Sequence, residues 1–299
     1  MADITTSTRG DGMGSKKHFS GNRKQIPFTK KAQITIPEKR VVIAIPMYDE
    51  KIAGLGMSSV LGGMELLRKN GIQSTLLFRL GDPYIDLTRN KLVVEFLKSG
   101  YTDIIFVDND LSFDSDAFLK LMSRDVQVIG GAYPYRFQGK QGYPLKPKAD
   151  ENNNAIINNE LQLIECEHIP TGMMRIRRDV FDILKRKYPY KVDNEGELQF
   201  FGTGQLPMYE AAVERLVKEI KLLRGGGAGS MDIEKVYDSL DNQTYGEDVY
   251  FCKICNEAGI KVYCDPTINF LHIGTYKQPG NFLKYLNEQA TSQESGVVV

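Results

Sequence analysis

The chain has 299 residues, 41% of them hydrophobic and 25% charged, with a formal net charge of zero. No apolar run approaches the roughly 20 residues needed to cross a bilayer, and MADITTSTRGDGMGSKKHFS lacks a signal-peptide core, so neither a membrane span nor secretion is expected. Four cysteines in a chain of this length do not make a disulfide scaffold, which points to a reducing compartment.

The charge is unevenly spread. Residues 1–40 hold nine Lys or Arg against three acidic residues, an excess of six that the remainder balances with the opposite sign. Rich in Gly, Ser, Thr and Lys, residues 1–39 read as a solvated, flexible arm. The sharper alternative is a basic arm that touches DNA or another polyanion.

Order is expected from Arg40. VVIAIPMYDE (41–50) reads as a buried strand that leaves its sheet at Pro46. MSSVLGGMELLRKNG (57–71) has helical spacing and stops at Gly71, and QSTLLFRL (73–80) is a second strand. LTRNKLVVEFLKSG (87–100) is a second helix, TDIIFVDND (102–110) a third strand, and SDAFLKLMSR (115–124) a helix that Ser115 would cap. DVQVIGGAYPYR (125–136) gives a fourth strand. This alternation predicts an α/β fold with a mostly parallel central sheet, Rossmann-like, flanked by helices in a single domain over 40–286.

The second half is less regular. ADENNNAIINNE (149–160) reads as an Asn-rich turn between short β segments, and IPTGMMRIRRDVFDILKRKYP (169–189) as a strand followed by a helix from Asp179. A helix over 207–224 ends in a glycine run, within an insertion at about 203–244 that would serve as a lid, a dimer contact or a surface-packed addition. YGEDVYFCKICNEAG (245–259) is a further helix, IKVYCDPTINFLHIG a strand, and residues 287–299 a frayed tail.

The chemistry concentrates in IIFVDNDLSFD (104–114), where a buried strand ends in two carboxylates one residue apart. A helix cap needs one Asp, and Ser115 stands closer to the helix. A calcium loop starting at Asp108 fails, because Phe113 stands where a glycine is needed and Leu119 where a bidentate glutamate should be. The third reading is a grip for Mg²⁺ or Mn²⁺ and a diphosphate at the carboxyl end of a strand, where α/β sheets bind ligands.

In its order of motifs the chain resembles GT-A glycosyltransferases of the broad inverting class, family-2-like, particularly short phage and bacterial members. The features are IAIPMYDE, the D-x-D of IIFVDNDLSFD, and TYGEDVYFCKICNEAGIKVYCDPTINFLHIG with its E-D helix, strand and histidine. TRN (88–90) and TGMMRIRRDVFD (171–182) add to it. The resemblance implies a GT-A fold and a hexosyltransferase-type enzyme. It would move a sugar from a nucleotide-diphospho-sugar, UDP foremost, to an acceptor hydroxyl with inversion. Asp108, Asp110 and His272 would hold Mn²⁺ or Mg²⁺. Asp248, with Glu247 as the lesser candidate, would be the general base. Pro46, Tyr48, Glu50, Asp82, Arg89, Asp108 and Asn109 would line the donor. The acceptor would be a hydroxymethylated base in phage DNA, helped by the basic arm, or else a glycan or protein. The setting would be the cytoplasm of a bacterium or of a phage-infected host.

Each residue also has a plainer role open to it. Glu247 and Asp248 suit the positive end of any helix, His272 could be a satisfied core residue, Tyr48 could simply pack, and Arg89 could be a solvated charge. Cys252, Cys255, Cys264 and His272 have a zinc-like spacing, yet the first two lie among apolar positions of a helix, where cysteine packs as a small hydrophobe. A nucleotidyltransferase would want a Gly-rich basic loop after the first strand, and PMYDEKIAGLGM matches that poorly. A non-catalytic nucleotide-sugar-binding module is the remaining alternative.

Overall fold

The computed structural model describes residues 39–136, 142–189, 199–202, 245–274 and 277–294. The basic arm and the 203–244 insertion lie outside the described residues. The first half follows the alternation read from the sequence. It runs β1 (Arg40–Met47), α1 (Gly54–Lys69), β2 (Gln73–Leu80), α2 (Ile85–Lys98) and β3 (Asp103–Val107). A short β4 (Leu111–Phe113), α3 (Ala117–Ser123) and β5 (Val128–Gly130) follow.

Period-two burial of β1 explains why helices cover both faces of the sheet. Val42 and Ala44 face a core shared with Leu92, Val93 and Phe96 of α2. Val41, Ile43 and Ile45 face the opposite core, with Val60 and Leu67 of α1 and Phe118 and Leu121 of α3. Each such aliphatic side chain contributes about 1.5–3 kcal/mol on burial. Helix α1 stops as expected at Gly71, whose φ of 75° lies in the left-handed region that glycine occupies without strain.

Two local expectations change. Pro46 does not end β1, which continues to Met47 with Pro46 opposite Arg79. Pairing with β3 has already stopped at Ala44–Phe106, so the missing N–H of Pro46 costs no bond on that side. Ser115 does not cap α3. The cap position is Asp116, without a side-chain cap bond, and its carboxylate pairs instead with Lys120 one turn on, at 3.1 Å.

The later strands are β6 (Lys146–Pro147), β7 (Ile157–Asn158), β8 (Leu163–His168) and β9 (Met173–Arg177). Helix α4 (Arg178–Lys187), helix α5 (Glu247–Glu257) and β10 (Val262–Cys264) follow, then β11 (Phe270–Ile273), β12 (Lys277–Gly280) and helix α6 (Phe282–Glu294). Helix α6 thus runs into the segment expected to be a frayed tail. The main sheet has the order β2-β1-β3-β9-β5-β10-β8-β6, with β7 added on β8.

That sheet is mixed rather than mostly parallel. Strands β2, β1 and β3 are mutually parallel, as are β5 and β10, but β9 inserts antiparallel between β3 and β5. Strand β8 is antiparallel to β10. The strand expected over 260–274 divides in two: β10 joins the main sheet, while β11 pairs with β12 and β4 in a second sheet of three strands. The protein is therefore an α/β fold with a partly parallel central sheet flanked by helices. Among the described residues no helix is long and apolar enough to cross a membrane.

Candidate functional site

The chain turns from β1 through α1 to β2 on one side, then crosses back through α2 to β3 on the other. A crevice outside the carboxyl ends of β1 and β3 is the usual result of such a reversal. Two loops close it. Asn109 donates its side-chain amide to the Lys51 carbonyl at 2.7 Å, and the Ala53 N–H donates to the Asn109 carbonyl at 2.9 Å. The segment after β1, with exposed Tyr48 and with Glu50 in the left-handed region, is thereby zipped to the segment after β3.

Asp108 and Asp110 leave β3 through one turn but meet different partners. Asp108 Oδ1 accepts from Arg89 Nη2 at 2.9 Å, and its Oδ2 accepts from the Tyr133 hydroxyl at 3.3 Å. Tyr133 in turn accepts from the Gly172 N–H at 3.2 Å, and Asp108 N–H donates to the Gly172 carbonyl at 2.9 Å. Burial and the Asp108 charge drive the Tyr133 phenol well above its ordinary value, so it stays a neutral donor. Gly172 is required here. A Cβ at that position would stand 2.4 Å from Asp108 Oδ2 and 2.5 Å from the Tyr133 oxygen.

Asp110 faces the second sheet. Its backbone carbonyl accepts from Ile273 N–H at 2.8 Å, and the pairing of β4 with β11 sets His272 opposite Leu111. His272 Nε2 lies 3.6 Å from Asp110 Oδ2, and Arg136 Nη1 lies 2.7 Å from the same oxygen. Asp110 Oδ1 is buried without a hydrogen-bond partner. Burial pushes the Asp110 carboxyl up, but His272 and Arg136 outweigh it and hold the group below its ordinary range.

A third group enters from α5. Glu247 Oε1 accepts from Arg89 Nε at 3.2 Å and from the Thr171 hydroxyl at 3.2 Å. Asp248, beside it in the first turn, accepts the Val249 N–H at 2.7 Å. Burial and the adjacent Glu247 carboxylate push the Asp248 carboxyl up to about 6. Arg89 is only 2% exposed and keeps its charge, because Asp108 and Glu247 more than offset the cost of burying it.

The structure thus brings Arg89, Asp108 and Glu247 together, with Asp110 and His272 as a second pair. Among the described residues no three His, Cys, Asp or Glu side chains gather as a ligand set, so Asp108 does not join Asp110 and His272. Arg89 is buried, with its fork turned to Asp108 and Glu247. Pro46 is buried at the end of β1, and Asp82 is held by Lys91 at 2.9 Å and by the Tyr84 N–H at 3.3 Å. All four cysteines are buried and free, and burial raises each thiol, that of Cys166 to about 12. They pack as neutral thiols, and Cys252 points at the Ile169 carbonyl at 3.7 Å. The zinc spacing therefore has no matching geometry.

Sequence reasoning missed Tyr133, Arg136, Thr171 and Gly172. Only the TG of TGMMRI and the apolar lead into GGAYPYR hinted at them. Both lie beside strand ends at the same edge as Asp108, a placement that depends on β9 inserting next to β3. No model of a known protein family matches the chain, and none of the curated proteins matches it.

Proposed function

We propose that the protein is a metal-dependent glycosyltransferase with a GT-A-like fold, acting on a nucleotide-diphospho-sugar with UDP foremost. The observation that carries the reading is the pairing of Asp110 with His272. Nδ1 of His272 donates to the Pro134 carbonyl at 2.7 Å, which turns Nε2 toward the Asp110 carboxylate. A backbone carbonyl that fixes the tautomer of a histidine is the usual support of a metal-binding imidazole. The buried, unpartnered Asp110 Oδ1 is a second donor of the hard oxygen type that suits Mn²⁺ or Mg²⁺.

Asp110 and His272 would hold the ion, which when bound neutralises charge on the departing nucleoside diphosphate. Asp248 is the proposed general base. A carboxyl titrating at about 6 is largely ionised at neutral pH, yet more basic than an ordinary aspartate, and that suits removal of an acceptor hydroxyl proton. The nucleoside would lie on the zipped loops around Tyr48, Glu50 and Asn109.

The acceptor side is supported by a cavity of about 530 Å³ along the outer face of α5. It is lined by Val249 and Lys253 of that face, by Tyr245 ahead of the helix, and by Lys146, Lys148 and His168 opposite. Val249, the residue that follows Asp248 in the first turn of α5, is part of its wall. Mixed charge with an aromatic wall suits a polar acceptor such as a glycan or a modified base.

The deciding experiment is hydrolysis of a panel of nucleotide-sugars with Mn²⁺, with Mg²⁺ and with chelator. Release of sugar and nucleoside diphosphate that needs the ion, and that Asp110→Ala abolishes while the fold survives, is the expected outcome. No turnover of any donor, or full activity in Asp110→Ala, overturns the reading.

A further inference from the structure

Two arginines are buried at opposite ends of β3, and the difference between them is informative. At the amino end Arg175, 1% exposed, pairs with Asp103 at 3.0 Å and donates to the Arg124 carbonyl at 2.9 Å. Its partner carboxylate is itself only 4% exposed, so this is a closed pair within the core. At the carboxyl end Arg89 is equally buried, yet its two partners are not. Asp108 and Glu247 are 25% and 16% exposed.

A buried guanidinium needs a carboxylate, and one suffices for Arg175. Arg89 holds two, from β3 and from α5, 158 residues from itself in the second case. It also lies over the Phe106 ring at 5.3 Å, which fixes the plane of its fork. The next residue, Asn90, makes paired bonds with the backbone of Phe201 at 2.7 and 2.9 Å, so the second turn of α2, which carries Arg89, cannot shift without breaking them.

We infer that Arg89 is a positioning residue for the transfer reaction. It holds the first turn of α5 at a fixed place against the end of β3 and supplies the positive charge that balances the carboxylates around Asp248. This rests on Asp248 being the base proposed above. The ionisable groups that face Asp248 are Glu247 and Cys252 from α5, Arg89 from α2, and Tyr133 from the segment after β5. Tyr133 and Cys252 stay neutral, so Arg89 stands alone among these four as a cation against Glu247.

Two variants test the inference. In Arg89→Met the charge is lost, and the Asp248 carboxyl, followed by carbon-13 NMR against pH, should titrate measurably higher than in the wild type, since the Arg89 charge favours its ionised form. An unchanged midpoint overturns the inference. In Arg89→Lys the charge remains but the two-pronged fork is gone. Donor hydrolysis should then lose roughly tenfold to a hundredfold in kcat, with donor KM and the Asp248 midpoint little changed. A lysine variant with wild-type kcat overturns it even if the methionine variant fails to fold. Should the wild type hydrolyse no donor, the glycosyltransferase reading falls, and the NMR midpoints still decide the charge-balancing role of Arg89.

Discussion

His272 and Asp110 stand 3.6 Å apart across the junction of the two sheets, and each is fixed from behind by the backbone. Pro134 accepts from His272 Nδ1, while the Asp110 carbonyl accepts from Ile273 N–H. The pair is therefore set by strand pairing rather than by side-chain choice. Binding of Mn²⁺ alone, followed by calorimetry, should weaken about tenfold or more in both His272→Ala and Asp110→Ala. Binding of equal strength in either variant would place the ion elsewhere.

Arg136 competes for the same carboxylate. Its side chain is 52% exposed and reaches Asp110 Oδ2 at 2.7 Å. An exposed ion pair of this kind is worth about 0.2–1 kcal/mol, since solvent screens it and two long side chains must be held still. Arg136→Ala should accordingly tighten Mn²⁺ binding by up to about fivefold, and the gain should shrink as salt is raised. Weaker binding in this variant would mean that Arg136 supports the site instead of competing for it.

Much of the first half was legible in the sequence because local signals agree there. The apolar run of β1, helical spacing in α1 and α2, and Gly71 as a helix stop each point to one structure. Strand β2 falls on Gln73–Leu80, the very stretch the pattern gave. The insertion of β9 between β3 and β5 was not legible. Nothing in MMRIR distinguishes a strand that pairs on one side of a sheet from one that enters its middle. The same gap hid Gly172 and Tyr133, which reach Asp108 only through that pairing. Asp108 and Asp110 were visible as a motif, but their division between Arg89 and His272 depends on β4 and β11, strands of three and four residues whose signal is weak.

Gly172 gives a stringent test of that division. Alanine there would force its Cβ against Asp108 Oδ2 and the Tyr133 oxygen, both closer than real contacts allow. Overpacking of this sort costs about 1–3 kcal/mol, read as a lower thermal midpoint. Donor hydrolysis should fall by roughly a hundredfold, because a displacement of about 1 Å in a positioned group is that costly. Binding of Mn²⁺ should persist, since Asp110 and His272 do not touch Gly172. Loss of metal binding together with activity would put Asp108 back among the ligands.

Asp248 ties activity to stability through pH. Its carboxyl titrates at about 6 in the folded protein, above the ordinary aspartate value of 3.8. A group raised on folding contributes its stability fully below the unfolded value and loses it as pH rises through the folded one. The native state therefore gives up stability between about pH 4 and pH 6, on the order of 3 kcal/mol for a shift of about two units. Asp248→Asn removes that titration and leaves a neutral side chain next to Glu247. The variant should unfold at higher denaturant than the wild type at pH 7.5, and the difference should shrink steadily on acidification to pH 4. Donor transfer to acceptor should fall by two to four orders of magnitude, as expected for a lost general base. Equal stability at both pH values would mean that Asp248 is an ordinary helix-terminal carboxylate, and retained transfer would move the base to Glu247.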